Sequence, residues 1–316
     1  MKDRINVIYI GGSGRSGSTV LTKLLNYWDG LIGLNEICYL WEYGIEGNHP
    51  VSDGDLFSES DFWKQVLGAV FPNRPISRPQ ADFFAYPSQV GLKNLLLNRW
   101  RARPQDGSVR AYAKTVELLY AQVLAVSGDR YVVDSSKTPD YAYFLSRIKT
   151  FDILLIHLIR DPRAVVYSWS KQFKRQDTRE GTDVAMTRFG LLKSTLRWMK
   201  WNLGCELLRG KKNVRYLRVR YEDFAKNPDG VLDRISAMLE LPSSPPRYHR
   251  TEEGFQDQHH ARDISIWGNP KVRTKKGAIQ VSEDNEWVDN LSLRKKLMTT
   301  LLTLPLLVRY GYRLYK

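Results

Sequence analysis

The sequence predicts an α/β fold in which helices flank a parallel sheet. Four apolar runs rich in β-branched residues are typical of fully buried strands, because none of them alternates regularly between apolar and polar positions. Each run ends in a polar or glycine-containing turn and leads into a helix-compatible stretch, which indicates a doubly wound sheet. Such sheets bind ligands at the carboxyl ends of their strands, so functional residues are expected there. The runs are NVIYIGG, DRYVVDSS, FDILLIHLIRD and NVRYLRVRYED.

The chain of 316 residues is expected to form a single domain, residues 1–316. Between about residues 43 and 128 the strand pattern gives way to turn-rich connectors and helical stretches, which predicts an inserted helical cap. Near the end of the chain, LMTTLLTLPLLVRYGYRLYK predicts a helix that Pro305 breaks and that packs on the core. Contact of this C-terminal segment with a membrane surface is the alternative.

The chain is strongly basic, with 48 Lys and Arg against 34 Asp and Glu and a formal net charge of +14. Such an excess indicates attraction to nucleic acid, to a membrane surface or to a small ligand with several phosphate or sulfate groups. The segment from Arg188 to Arg220 is especially basic. A solvated helix face with Trp198 and Trp201 on its core side is the simpler interpretation of that segment, and a polyanion groove is the alternative.

The two cysteines, Cys38 and Cys205, have no neighbours at zinc-ligand or redox spacing, so neither a disulfide framework nor a metal site is expected. The N-terminal MKDRINVIYI passes directly into a strand-like run. We therefore expect no secretory signal or membrane anchor, and a cytoplasmic location.

The first predicted strand leads through GGSGRSGST into a helix. Unpaired N–H groups and the helix dipole favour an anion at such a helix start, so the loop predicts a phosphate-like ligand. As a P-loop it lacks the lysine that reaches the β and γ phosphates, because Ser18 stands there, and ATP chemistry is disfavoured. As a dinucleotide loop it has Gly12, Gly14 and Gly17 in place, and Glu36 stands near the position of a ribose ligand.

A second strand and turn, LLIHLIRDPRAVVYSW, places Arg160 at a strand end and Ser168 two helical turns further on. The forked guanidinium of an arginine and a neutral hydroxyl donor together suit a dianionic phosphate. The alternative is that Arg160 simply pairs with Asp161 across the turn.

These motifs resemble those of the sulfotransferases that use 3′-phosphoadenosine 5′-phosphosulfate (PAPS). GRSGSTVL resembles the 5′-phosphosulfate loop of the family, and LIRDPRAVVYSW resembles its 3′-phosphate motif, in the same order along the chain. VRYEDFAKNPDGVL is similar to a third family segment, and HHARDISIWGNPKVRTKKGAIQV is similar to a late stretch of bacterial and Golgi-type members. The resemblance implies a P-loop-like fold, PAPS as the donor and no essential metal.

The resemblance also implies roles for residues at the motif positions. The loop around Arg15 would bind the 5′-phosphosulfate, and Lys137 would reach the oxygen between sulfate and phosphate. Glu36 would be the catalytic base, because tyrosylprotein and Golgi carbohydrate sulfotransferases have an acidic residue at this distance from the loop; His260 is the rival base. The donor-binding residues implied are Gly14, Arg15, Ser16, Gly17, Ser18, Thr19, Arg160, Ser168, Tyr221, Arg273, Lys275 and Lys276.

The predicted function is therefore transfer of the sulfuryl group of PAPS to the hydroxyl of an acceptor. A carbohydrate or small metabolite is favoured over a lipid, and no nucleic-acid partner is expected. Two alternatives remain open from the residues alone: an NAD(P)-dependent oxidoreductase that uses the glycine-rich loop, and a non-enzymatic basic module that binds a polyanion through residues 188–220.

Overall fold

The computed structural model of the chain describes residues 4–72, 107–171, 175, 178, 187–239, 248–257 and 263–314. The strands are β1 (Ile5–Gly11), β2 (Leu31–Asn35), β3 (Tyr131–Lys137), β4 (Phe151–Ile159), β5 (Val214–Arg220), β6 (Tyr248–Thr251) and β7 (Gly254–Asp257). The first five form one sheet in the order β2-β3-β1-β4-β5, and each neighbouring pair is parallel. β6 and β7 form a separate antiparallel pair.

The helices connect the strands and cover the sheet. They are α1 (Ser18–Leu25), α2 (Asp61–Val70), α3 (Gly107–Ser127), α4 (Pro139–Arg147), α5 (Pro162–Ser170), α6 (Leu191–Leu207), α7 (Tyr221–Lys226), α8 (Pro228–Leu239), α9 (Pro270–Arg273), α10 (Glu286–Asn290) and α11 (Leu293–Arg309). After β2 the chain makes a short 3₁₀ turn, Ile37–Tyr39, and a π-helix, Leu40–Glu46.

Alternate residues of β1 lie in two different apolar layers, which places helices on both faces of the sheet. Val7 and Tyr9 lie in the layer covered by α2, α3 and α4. Ile8 and Ile10 lie in the layer covered by α1 and α8. The parallel α/β fold predicted from the apolar runs is therefore confirmed.

β2 is the strand of the five-stranded sheet that the sequence pattern missed, because it is short and contains Gly33. A Cβ at Gly33 would lie 3.2 Å from the Cβ of Asn26, whose side-chain oxygen accepts the Gly33 N–H at 2.7 Å. The glycine thus permits the close approach of the α1 end to this strand. β2 matters for function because Glu36 directly follows it.

The segment predicted as an inserted cap contains α2 and α3, and these two helices pack on each other. Both also contribute to the main core: Trp63 of α2 and Tyr120 of α3 are fully buried in the layer that contains Val7. α3 leads into β3, so it is a covering helix of the sheet. Residues 73–106 of the predicted cap lie outside the described residues, and the cap itself stays a prediction.

The C-terminal helix differs from its prediction in one respect. We expected Pro305 to break it, but α11 runs through Pro305 to Arg309. Pro305 is exposed, so the carbonyl that loses its usual N–H partner at this position lies on the outer side of the helix. Among the helices given above, none combines the length and the apolarity needed to cross a bilayer.

Candidate active site

The carboxyl edge of the sheet opens into a cleft of about 560 Å³. Each of the five parallel strands contributes a residue at or just after its end: Arg15 after β1, Glu36 after β2, Lys137 at the end of β3, Arg160 after β4 and Tyr221 after β5. We call these five the strand-end residues. All of them line this cleft, as expected for a doubly wound fold.

The glycine-rich loop between β1 and α1 depends on two glycines. Gly12 has a φ of 128°, and a Cβ there would lie 2.3 Å from the carbonyl oxygen of Leu158. Gly17 has a φ of 89°, and a Cβ there would lie 2.5 Å from the ring of Tyr221. Only glycine fits both the left-handed backbone and the space, so the loop folds tightly against β4 and α7.

This loop forms an anion site at the start of α1. Gly17 caps the helix without a side-chain hydrogen bond, so the first N–H groups of α1 receive no capping acceptor from it. The Ser16 hydroxyl is buried and has no hydrogen-bond partner among the residues that the structure describes. A bound anion at the start of α1 would supply acceptors to these N–H groups and to the hydroxyl.

Arg15 and Ser168 meet across the cleft. The Nε of Arg15 donates to the Ser168 hydroxyl at 3.2 Å, and the guanidinium lies 5.5 Å from the ring centre of Trp169. Burial, and then the charges of Arg160 and Arg175, lower the pKa of Arg15. The loop and the motif after β4 therefore form one positively charged region, and their separate roles toward the two ends of PAPS stay predictions.

Arg160 joins the loop to the later part of the chain. One guanidinium nitrogen donates to the carbonyl oxygen of Arg15 at 2.8 Å, and the other donates to Asp284 at 2.8 Å. The guanidinium also lies 4.7 Å from the ring centre of Tyr221. Burial alone would raise the pKa of Asp284, but the hydrogen bond and charge of Arg160 hold it below its usual range.

The alternative pairing of Arg160 with Asp161 is wrong. Asp161 caps α5 by accepting the backbone N–H of Arg163 at 2.9 Å, and it also binds the guanidinium of Arg163. Asp161 is thus engaged by its own helix, because an Asp before Pro162 stands at a favoured capping position. Arg160 is left to face the cleft.

Glu36 and Lys137 form a direct ion pair in which the Nζ of Lys137 donates to the Oε1 of Glu36. Both side chains are largely buried. Lys137 and Asn35, the residue before Glu36, have positive φ angles of 68° and 58°, and the strand register shifts beside both. These irregular strand ends direct the two side chains toward each other.

A buried network supports the end of β3. Tyr120 donates to Asp134 at 2.6 Å, and the Ser136 hydroxyl donates to the same carboxylate at 2.5 Å. Ser136 in turn accepts the backbone N–H of Cys38 at 3.0 Å. Burial raises the pKa of Asp134 to about 6. The network ties the residues around Lys137 to the turn that follows Glu36.

The aromatic lining of the cleft was not predicted from the sequence. In one group, which we call the Trp267 wall, the rings of Trp267 and Tyr43 stack with centres 3.6 Å apart and planes 12° apart. The guanidinium of Arg175 lies 3.4 Å from the ring centre of Trp267 and donates to the carbonyl of Gly268 at 3.1 Å. In the sequence, the one indication of this wall is the GNP motif, which directly follows Trp267.

A second group, the Arg197 wall, lies on α5, on α6 and on the segment directly before α6. The guanidinium of Arg197 is 4.0 Å from the ring centre of Trp201 and 5.1 Å from that of Phe189. Trp169 completes the group. The expectation that Trp198 and Trp201 lie on the core side is met for Trp198, which is fully buried, whereas the largely buried Trp201 also lines the cleft.

Tyr221 lies beside the glycine-rich loop, and its contact with the donor stays a prediction. Its ring contacts the Gly17 position and Arg160, and its hydroxyl donates to the carbonyl of Ser282 at 2.8 Å. Asn269 reaches the same region, because its backbone N–H donates to the Thr19 hydroxyl at 3.1 Å. The late part of the chain therefore closes over the start of α1.

The late basic residues do not join this site. The guanidinium of Arg273 is buried and donates to the carbonyls of Pro50 at 2.9 Å and Ser265 at 3.0 Å, so the expectation that it faces the cleft is wrong. Lys275 and Lys276 are exposed and lie outside the cleft lining. A run of basic residues does not by itself indicate which of them turn inward.

His260, the rival base, lies outside the described residues and stays a prediction. His157 of β4 is fully buried between Tyr216 at 2.6 Å and Asn202 at 2.8 Å. Burial lowers the pKa of His157 to about 4.

Comparisons with known proteins agree with this geometry. The profile of the sulfotransferase family matches residues 7–245. The sulfotransferase domain from the Synechococcus PCC 7002 olefin synthase is similar in fold, with a TM-score of 0.53 and 19% identity over 99% of this chain and 97% of that chain. The sulfotransferase domain from the curacin biosynthetic pathway has a TM-score of 0.52 and 18% identity over 99% of each chain.

A comparison with curated protein sequences finds no match. The two structural likenesses are too distant in sequence to show more than the fold. The family profile, however, spans most of the chain, from β1 to beyond α8, and includes the first three of the four segments that carry the resemblance. This protein belongs to the sulfotransferase family.

Proposed function

We propose that the protein is a PAPS-dependent O-sulfotransferase that transfers a sulfuryl group to the hydroxyl of a carbohydrate or small metabolite. The observation that carries the proposal is the set of five strand-end residues around one cleft. They combine cations for an anionic donor with a carboxylate, Glu36, that can accept a proton. Sulfuryl transfer between oxygens requires both.

The residues of the loop fit the phosphosulfate end of PAPS. The start of α1 offers N–H groups, the buried Ser16 hydroxyl needs an acceptor, and Arg15 supplies a positive charge. Arg160 and Ser168 fit the 3′-phosphate, and Tyr221 would pack against the adenine. Arg160 would exchange its bond to Asp284 for one to the phosphate, because a dianion accepts a forked guanidinium at least as well as a carboxylate does.

In the reaction, the acceptor oxygen forms a bond to sulfur while the bond from sulfur to the phosphate oxygen breaks. Glu36 would accept the proton of the acceptor hydroxyl, and Lys137 would donate a hydrogen bond to the oxygen that takes up negative charge. Their ion pair holds the two side chains close together before substrates bind. Lys137 would then move its hydrogen bond from Glu36 to the departing oxygen.

The two walls support a ring-shaped acceptor. The stacked rings of Trp267 and Tyr43 offer a flat apolar surface on which a sugar ring or another planar group can pack. Arg175 places a cation beside the Trp267 ring, and Arg197 places one beside the Trp201 ring.

Calorimetric titration with 3′,5′-diphosphoadenosine, and separately with NADH, tests the donor. We expect binding of the former, and we expect Arg160→Ala to weaken it by about a hundredfold or more. The affinity of Arg160→Lys should lie between those of the wild type and Arg160→Ala, because lysine keeps the positive charge and lacks the forked guanidinium. Arg218→Ala is the control, since that exposed arginine lies outside the cleft.

Thermal unfolding of each variant separates lost binding from lost folding. The proposal is overturned if the folded wild-type protein gives no heat with 3′,5′-diphosphoadenosine, or binds NADH more tightly.

A further inference from the structure

Two neighbouring helices, α6 and α11, expose apolar side chains and bury polar ones. On α11, Leu293 and Leu301 are each 70% exposed and Val308 is 63% exposed, whereas Thr299 and Thr303 are fully buried. On α6 the arrangement is the same. Its exposed leucines are Leu192, Leu196, Leu203 and Leu207, and its buried polar residues are Ser194, Thr195 and Asn202.

Hydrogen bonding alone does not explain why these helices expose apolar side chains and bury polar ones. The buried hydroxyls of Ser194 and Thr299 have no hydrogen-bond partner among the described residues. Burying an unpaired hydroxyl costs free energy, and exposing leucine gains none in water. A helix selected only to face solvent would place these residue types the other way round.

The exposed residues follow helical spacing, so each helix carries one outward apolar stripe. The stripe of α11 consists of Leu293, Leu297, Leu301, Leu304 and Val308. The helices lie side by side: Met199 of α6 packs against a cluster that contains Leu306 and Leu307, and Arg309 donates to Glu206 at 2.9 Å. We call the outer side of this helix pair the leucine face. A patch of this kind on a monomer marks a surface that something covers.

The charges around the leucine face indicate what covers it. Both helices also carry exposed basic residues, among them Lys193, Lys200, Arg294 and Lys295. The single acidic residue of the two helices, Glu206, is bound by Arg309. A second copy of the chain would bring these like charges together, whereas an anionic lipid surface would neutralise them.

We propose that the leucine face docks on a membrane surface that contains anionic phospholipids. The leucines would enter the boundary between head groups and acyl chains, and the flanking Lys and Arg would contact the phosphates. α6 also contributes Arg197 and Trp201 to the cleft from its other side. Docking would therefore hold the cleft beside the lipid surface, independently of which donor or acceptor the cleft binds.

Sedimentation of the full chain with vesicles tests the proposal. We expect binding to vesicles of phosphatidylcholine and phosphatidylglycerol in equal parts, and weaker binding to phosphatidylcholine alone. The triple variant Leu293→Gln, Leu301→Gln and Val308→Gln should lower the affinity by about tenfold or more, and Arg294→Gln with Lys295→Gln should lower it only for the anionic vesicles. Leu118→Gln is the control, because Leu118 is an exposed leucine on α3, away from both helices.

Two results would overturn the proposal: no binding of the wild-type chain to the anionic vesicles, or binding that the triple variant leaves unchanged. Measuring the oligomeric state without vesicles tests whether a second copy of the chain covers the leucine face instead. A dimer that the triple variant dissociates, together with no vesicle binding, would assign the leucine face to a second copy. The substituted residues are exposed, so all variants should keep the wild-type unfolding temperature.

Discussion

The cleft is lined by two sets of residues that reach it in different ways. The strand-end residues come at or just after parallel strands and are held by short polar contacts, such as the bond from Arg160 to the Arg15 carbonyl. The residues of the Trp267 and Arg197 walls come from helices and connecting segments and are held mainly by ring stacking. The sheet fixes the backbone positions of the first set, whereas the second set lies on helices and segments outside the sheet. We infer that the first set performs chemistry common to the fold and that the second selects the acceptor.

The strongest test of this division between the two sets is to remove the proposed base. Glu36→Gln should lower kcat by a factor of about a hundred to ten thousand, because an amide cannot accept the proton of the acceptor hydroxyl. The affinity for 3′,5′-diphosphoadenosine should stay near the wild-type value. Release of that product from PAPS, with the fastest of a sugar, a phenol and a primary alcohol as acceptor, measures the rate.

Glu46→Gln is the matched control for this prediction, since Glu46 is exposed and lies outside the cleft lining. An unchanged kcat in Glu36→Gln would exclude Glu36 as the base and leave His260 as the candidate. A parallel loss of donor affinity would instead mean that Glu36 acts by positioning Lys137.

The contrast between the two sets also explains what the sequence could predict. Buried parallel strands are recognisable as apolar runs, and the residues that follow them must meet at one edge of the sheet. Arg15, Lys137, Arg160 and Tyr221 were therefore identified from motifs, and Glu36 from its spacing to the loop. Their roles in the reaction stay predictions.

The walls could not be predicted, because they depend on which distant segments touch. Nothing in the sequence links Tyr43 to Trp267, or Arg160 to Asp284, across such separations. For the same reason the basic run near residue 273 was misjudged: Arg273 is bound by backbone carbonyls inside the protein. β2 was missed because a short run with a glycine carries little strand signal.

Lowering the pH should destabilise the protein at His157, which packs against α6, the helix that carries Arg197 and Trp201. His157 on β4 binds Asn202 of α6 and Tyr216 of β5, and its pKa is lowered to about 4 by burial. An unfolded histidine titrates near 6.5, so between these values the unfolded chain binds more protons, and the free energy of unfolding falls as the pH falls. The loss from this group should reach about 2 kcal/mol by about pH 5. Urea unfolding at several pH values measures it.

His157→Gln should flatten the pH dependence of the unfolding free energy between about pH 6.5 and about pH 4, even if it lowers stability at neutral pH. His249→Gln is the comparison, because His249 is exposed on β6. A slope in His157→Gln as steep as that of the wild type would show that other groups cause the acid response.

The smallest expected effect concerns the Trp267 wall and tests whether that wall selects the acceptor. Trp267→Leu removes the flat ring between Tyr43 and Arg175, so the KM for a sugar or phenol acceptor should rise by about tenfold. The kcat and the affinity for 3′,5′-diphosphoadenosine should stay close to the wild-type values, because the strand-end residues are unchanged. Trp267→Phe should have a smaller effect, since it keeps a ring.

Trp287→Leu is a matched control for this last variant. Trp287 is also buried and lies under a guanidinium, that of Arg163 at 4.7 Å, but it lies outside the cleft lining. If both Trp variants raise the KM equally, the effect is a general loss of packing and the wall does not select the acceptor. If Trp267→Leu lowers kcat and leaves the KM unchanged, Trp267 belongs with the strand-end residues, and the division between the two sets is wrong.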